Sequence, residues 1–185
     1  MDTRQQIIDA ADHLFYRNGF THTSFTDIAS TIDISRGNFY HHFKSKNEIL
    51  SAVIQARLDR TKQFIEQWEK ENLSPKKRIA SFINILTTNK TKIAQYGCPV
   101  GTLTIELGKI NHDAQPHAKE IFSLFRSWLT EQFIQLGHHK DADALAMHLL
   151  SHSQGIATMF NAFKDESFLN REVGELHHWL NTLVD

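Results

Sequence analysis

Apolar residues along this chain recur at intervals of three and four with polar residues between them, the spacing of one-faced helices rather than strands. The first stripe, Ile7, Ala10, Ala11, Leu14 and Phe15, predicts a helix over residues 4–18, with Thr3 as N-cap and Gly19 at its C-terminal end. Phe25, Ile28, Ala29 and Ile32 predict a short second helix, capped by Ser24 or Thr26. Asp33 ends it at a turn position requiring positive φ, which Asp tolerates better than most residues. Ile34 plugs the angle, Ser35 caps a third helix beginning at Arg36, and Phe39 and Phe43 face inward. A long helix follows from Ser45 to about Lys70, striped by Ile49, Leu50, Val53, Ile54, Leu58, Phe64, Ile65 and Trp68.

After a break at Asn72–Leu73, with Ser74 as cap and Pro75 in the first turn, Ile79, Phe82, Ile83, Leu86 and Ile93 read as one helix. Gly97 ends it and Pro99 opens the next, with Val100, Leu103, Leu107 and Ile110 facing the core. Three longer stripes complete the chain, at about 117–136, 142–163 and 168–183. The expected fold is all-α: a three-helix N-terminal head, residues 1–46, and a body of about six helices, residues 47–185.

Composition narrows the class. A chain of 185 residues, 41 % hydrophobic, can bury a sizeable core. No apolar run is long enough for a bilayer, so no membrane partner is expected. A single cysteine and a mixed N-terminus predict a cytoplasmic protein. The net charge of −1 supplies no basic field, and the first fifty residues do not either: Arg4, Arg17, Arg36, Lys44 and Lys46 face six acidic groups. The charge is uneven, however. Arg36, Lys44 and Lys46 cluster at and beyond the third helix, and His41 and His42 add charge at lower pH.

That third helix, with the turn before it, forms a helix-turn-helix able to enter a DNA major groove. Arg36 suits guanine and Asn38 adenine, Gly37 allows close backbone approach, and Tyr40 and His41 lie on the same outer face. Thr26, Ser35, Lys44 and Lys46 complete the expected DNA-binding set through the phosphates.

The residues Thr26–Ile28–Ala29, Ile34–Ser35–Gly37, Phe39–Tyr40–His42–Phe43 and Lys46 resemble the DNA-binding motif of the TetR family of one-component repressors. Ile32 and Asp33 stand where that family usually has Ala and Gly. The resemblance implies a homodimer on a near-palindromic duplex operator, with its last two helices pairing with their twins. It also implies a small-molecule effector in the body that releases the DNA. For the dimer face the stripes offer Leu145, Leu149, His152, Ile156, Met159, Trp179 and Leu183.

An aromatic or electrophilic effector would meet Phe64, Trp68, Phe82, Leu86, Leu103, Phe122, Phe125, Trp128 and Phe160, residues that suit a packed core equally well. Cys98, just before a helix start, could form a stabilised thiolate; Gly97–Cys98–Pro99 with Glu106 also resembles a TetR subgroup that includes sensors of electrophiles and oxidants. Glu106 would contact a ligand or, by spacing, pair with Lys109 one turn away. His148 and His152 are spaced for metal, but third and fourth ligands are not evident, so neither metal nor cofactor is expected. Two other classes stay open: a helical-bundle thiol or metal enzyme, which would leave the Ser24–Lys46 motif without a use, and a dimeric scaffold that does not bind DNA.

Overall fold

A computed structural model describes residues 2–71 and 74–183, and for Arg36 the backbone alone. The Asn72–Leu73 break therefore lies outside the described residues. Among the described residues there are ten helices and no strand: α1 (Thr3–Asn18), α2 (Phe25–Thr31), α3 (Arg36–His42), α4 (Lys46–Glu71), α5 (Pro75–Thr88), α6 (Lys90–Tyr96), α7 (Pro99–Lys109), α8 (Gln115–Gln135), α9 (Ala142–Phe163) and α10 (Glu166–Thr182). The all-α expectation is met. None of these helices is long and apolar enough to cross a membrane.

Two compact units emerge, one of residues 1–61 with 100–121, the other of residues 62–99 with 122–185. In the first, α1 is capped by Asp2, whose carboxylate accepts from the Arg4 N–H, rather than by Thr3, which is the first helical residue. Ile7, Ala11 and Phe15 are buried, as are Ile28, Phe39, Phe43 and the Ile49–Leu50–Val53–Ile54 stripe of α4. Leu103, Leu107, Ala118 and Ile121 are buried too. Asp12 of α1 receives Arg57 at 2.6 Å and also Arg60, both from α4. Arg57 is only 8 % exposed, so its charge-assisted bond fixes α1 against α4 from a largely dry position, while Arg60 stays half exposed.

The second unit has one continuous core, from Ile65 and Ile79 through Leu129, Phe133 and Leu149 to Leu180. The single helix expected from Pro75 onward is two, because Asn89 leaves the helical conformation (φ −102°, ψ 14°) and its N–H bonds to Ile85 O. Asn161 of α9 donates its amide to Ile93 O and Ala94 O at 3.0 Å each, holding α6 on α9. Trp128 Nε1 donates to Glu69 at 2.9 Å, and its ring lies 5.4 Å from that of Trp68.

Candidate nucleic-acid interface

Local chemistry builds the helix-turn-helix. Ser24 and Asp27 form a reciprocal capping box: Asp27 accepts the Ser24 N–H at 2.7 Å and Ser24 Oγ accepts the Asp27 N–H at 3.2 Å. Donation from the Ser24 hydroxyl, then from its amide, holds the Asp27 carboxyl below the usual range. At the other end Asp33 adopts φ 52°, as its place in the turn requires. The Ile34 N–H reaches back to Ala29 O at 3.3 Å, the six-to-one bond of a Schellman-type closure. Ser35 Oγ then accepts the Asn38 N–H and opens α3.

Phe39 and Phe43 are buried, and Phe25 meets Phe39 edge-on at 5.1 Å. Gly37, Asn38 and His41 are left exposed, and Tyr40, its ring 5.5 Å from Phe25, keeps 46 % of its surface open. Thr26, Ser35 and Lys44 are exposed as well. The Arg36 side chain lies outside the described residues. An ideal Cβ at Gly37 meets nothing within 4 Å, so no neighbour in the chain requires a glycine there.

Lys46 has a different use from the expected phosphate contact. Its ammonium donates to Phe20 O at 2.9 Å and Thr23 O at 3.1 Å, and sits 4.3 Å from the Phe20 ring centre. Burial holds it below the ordinary lysine value, against the pull of Glu106. Glu106 departs from the expected Lys109 pairing. Its two oxygens accept the Phe20 and Thr21 N–H groups at 2.9 and 2.8 Å. Backbone donors held in a fixed pair outcompete a solvated lysine one turn away.

The residues expected to meet an effector fall in both units. Leu103 and Glu106 belong to the first unit, while Phe64, Trp68, Phe82, Leu86, Cys98, Phe122, Phe125, Trp128 and Phe160 belong to the second. Phe64 is 55 % exposed; Leu86 and Phe160 are buried in the core, and Phe82, also buried, meets Phe125 edge-on at 5.2 Å. Cys98 is a half-buried thiol. Of the dimer set, Leu149 and Ile156 are buried within their own chain, whereas His152 and Met159 are exposed and Leu145, Trp179 and Leu183 half-buried.

A groove of about 450 Å³ between α9 and α10 brings Phe168, Glu172, Glu175 and Leu176, for which the sequence suggested no site, beside His148, Ser151, His152, Gly155, Ile156 and Trp179. The signal for it in the sequence was a glycine in mid-helix at 155. The His148 and His152 ring centres lie 4.1 Å apart at a tilt of 40°, with Trp179 4.9 Å from His148. Burial, then His152, holds His148 below the ordinary imidazole value. Among the described residues no group of three or more His, Cys, Asp or Glu is placed to hold a metal ion.

A capped helix-turn-helix on an all-helical chain is the architecture found in DNA-binding transcriptional regulators. Residues 7–53 match the profile of bacterial regulatory proteins of the tetR family, and residues 75–174 that of the LmrA/YxaF-like transcriptional regulator C-terminal domain. The chain belongs to the TetR family. It is 30 % identical over 144 residues to an uncharacterised HTH-type transcriptional regulator in the lacX 3′ region of Lactococcus lactis subsp. lactis, covering 73 % of this chain and 70 % of that protein. It is 21 % identical over 127 residues to the HTH-type transcriptional repressor DhaR of Mycobacterium sp. (strain GP1), covering 68 % of this chain and 61 % of the repressor. A TetR transcriptional regulator from Legionella pneumophila shares the fold, with a TM-score of 0.86 at 24 % identity over 100 % of this chain and 98 % of that one.

Proposed function

We propose that this protein is a cytoplasmic repressor that binds a near-palindromic operator as a homodimer and leaves it when a small-molecule effector binds. The outward face of α3 carries this reading: Gly37, Asn38, Tyr40 and His41 lie open while the apolar residues of the same helix are spent on the core. In this reading Asn38 reads a base edge, Gly37 admits the DNA backbone, and Thr26, Ser35, Tyr40 and Lys44 hold phosphates. Two such helices about 34–36 Å apart would enter successive major grooves.

The homodimer reading rests on the outer face of α9 and α10. Met147, Met159 and Phe163 are exposed there, Phe163 at 75 %. Gly155 and Gly174 sit in helices with open space where a Cβ would be. Glycine weakens a helix, and at these positions it clears room for a second backbone.

A second release route is modification of Cys98, which stands half-buried one residue before Pro99 opens α7. The test is an anisotropy titration on the DNA upstream of the protein's own gene, with and without a mild electrophile, for the parent and Cys98→Ser. The parent binds with two chains per duplex. If treatment frees the parent while Cys98→Ser stays bound, the thiol is the trigger. If both stay bound, the trigger is a reversible ligand. A parent that binds no better than to unrelated DNA sinks the regulator reading for this promoter.

A further inference from the structure

The turn between α1 and α2 is gripped from both sides. On its N–H side the Glu106 carboxylate of α7 accepts Phe20 N–H at 2.9 Å and Thr21 N–H at 2.8 Å. On its carbonyl side the Lys46 ammonium, at the first residue of α4, takes Phe20 O, Thr21 O and Thr23 O. Thr23, itself buried, closes the turn internally by donating to Gly19 O at 2.8 Å.

The Phe20 ring is packed on several sides: Phe15 at 5.3 Å, His112 at 5.2 Å and the Lys46 ammonium. His112 in turn bonds Asn47 at 3.1 Å. Gly19 (φ 87°) completes the fit, because a Cβ there would stand 3.1 and 3.2 Å from the Glu106 oxygens. The turn leads within two residues into Ser24, the cap of the first helix of the helix-turn-helix.

We propose that Glu106 is a positioning residue for DNA recognition: by locking the α1–α2 turn onto α7 within their common unit, with Lys46 as counter-grip, it keeps the helix-turn-helix rigidly aimed and so narrows the half-site spacings that the dimer accepts. The proposal rests on the operator-binding reading above. Its content is that the head is held by two arms, α4 through the chain itself and α7 through one carboxylate. A dimer tolerates a narrow range of spacings only if each recognition helix is rigidly aimed, since one base pair rotates and displaces a half-site together. A glutamine at 106 accepts one of the two N–H groups and turns its own N–H₂ toward the other, which opens the lock without changing side-chain size.

The experiment uses the full-length protein and a duplex that the parent selects from a random-sequence pool, together with versions whose centre is one base pair longer or shorter, and a single half-site. The parent is expected to lose tenfold or more on each altered duplex. Glu106→Gln is expected to lose threefold or less, with half-site affinity within twofold of the parent. Lys46→Met, which loosens the turn from the other side, should show the same flattened profile. Variants that keep the parent's spacing profile, whether at equal affinity or evenly weakened, overturn the proposal, because a purely structural role lowers all affinities alike. A parent that selects no duplex overturns the operator reading instead. Amide exchange in the free protein then tests the joint: Phe20, Thr21 and the α2 amides should exchange at least tenfold faster in Glu106→Gln, and unchanged exchange overturns the joint.

Discussion

A methyl group added at Gly37 would touch no atom of the protein within 4 Å, yet the residue lies in α3, where glycine is a poor helix former. Gly37→Ala should therefore stabilise the free protein, by up to about 1 kcal/mol. On the proposed reading the same methyl should weaken operator binding tenfold or more, because it would project toward the approaching DNA backbone. Thermal melts and anisotropy read the two effects separately; a variant that melts higher and binds as the parent does removes Gly37 from the interface. The turn two residues before α3 was legible from chemistry alone. Asp33, with its φ of 52°, tolerates what the turn requires, and Ser24, Asp27 and Ser35 are local caps whose partners lie within three residues. Thr3 and Asp2 show the limit of such reading, since both residues are competent N-caps and only the backbone decides between them.

At the scale of elements, periodicity located the helices but not every break. Leu86 and Ile93 are seven residues apart, so the stripe runs through Asn89 without interruption and nothing in Thr87–Thr88–Asn89–Lys90 announces the end of α5. Periodicity also cannot say which of two apolar faces is covered. Leu149 and Ile156 were expected on the outer side of α9 and are core, whereas His148 and His152 occupy the open side. That placement has a pH consequence. The folded pKa of His148 lies below its ordinary 6.5, because burial and then His152 disfavour the charged ring. A depressed value means that its contribution to stability is whole above the unfolded pKa and is lost as the pH falls through the folded one. Glu172 and Glu175 of α10 line the same groove. Urea midpoints at pH 7.5 and 5.0 should fall on acidification in the parent, and less so in His148→Asn. Equal falls would show that the ring is not the titrating group.

At the scale of the molecule, the joint at Glu106 illustrates what a sequence hides. Its bonds span 85 and 86 residues, and nothing near Phe20 or Thr21 in the chain asks for a carboxylate. The same joint engages a half-buried cation in a chain whose net charge is only −1. Each phosphate that a protein neutralises sheds condensed counterions from the duplex, and the logarithm of the binding constant then falls with the logarithm of salt by about 0.9 per contact. Lys44 is exposed beside α3, while Lys46 is turned inward onto three carbonyl oxygens. Lys44→Met should thus reduce the salt slope of operator binding by about 0.9, and Lys46→Met should leave it unchanged while still altering affinity. On the proposed reading two neighbouring lysines are thereby divided between tasks: Lys44 would exchange with the ionic atmosphere of the DNA, and Lys46 would stay on the backbone of its own chain.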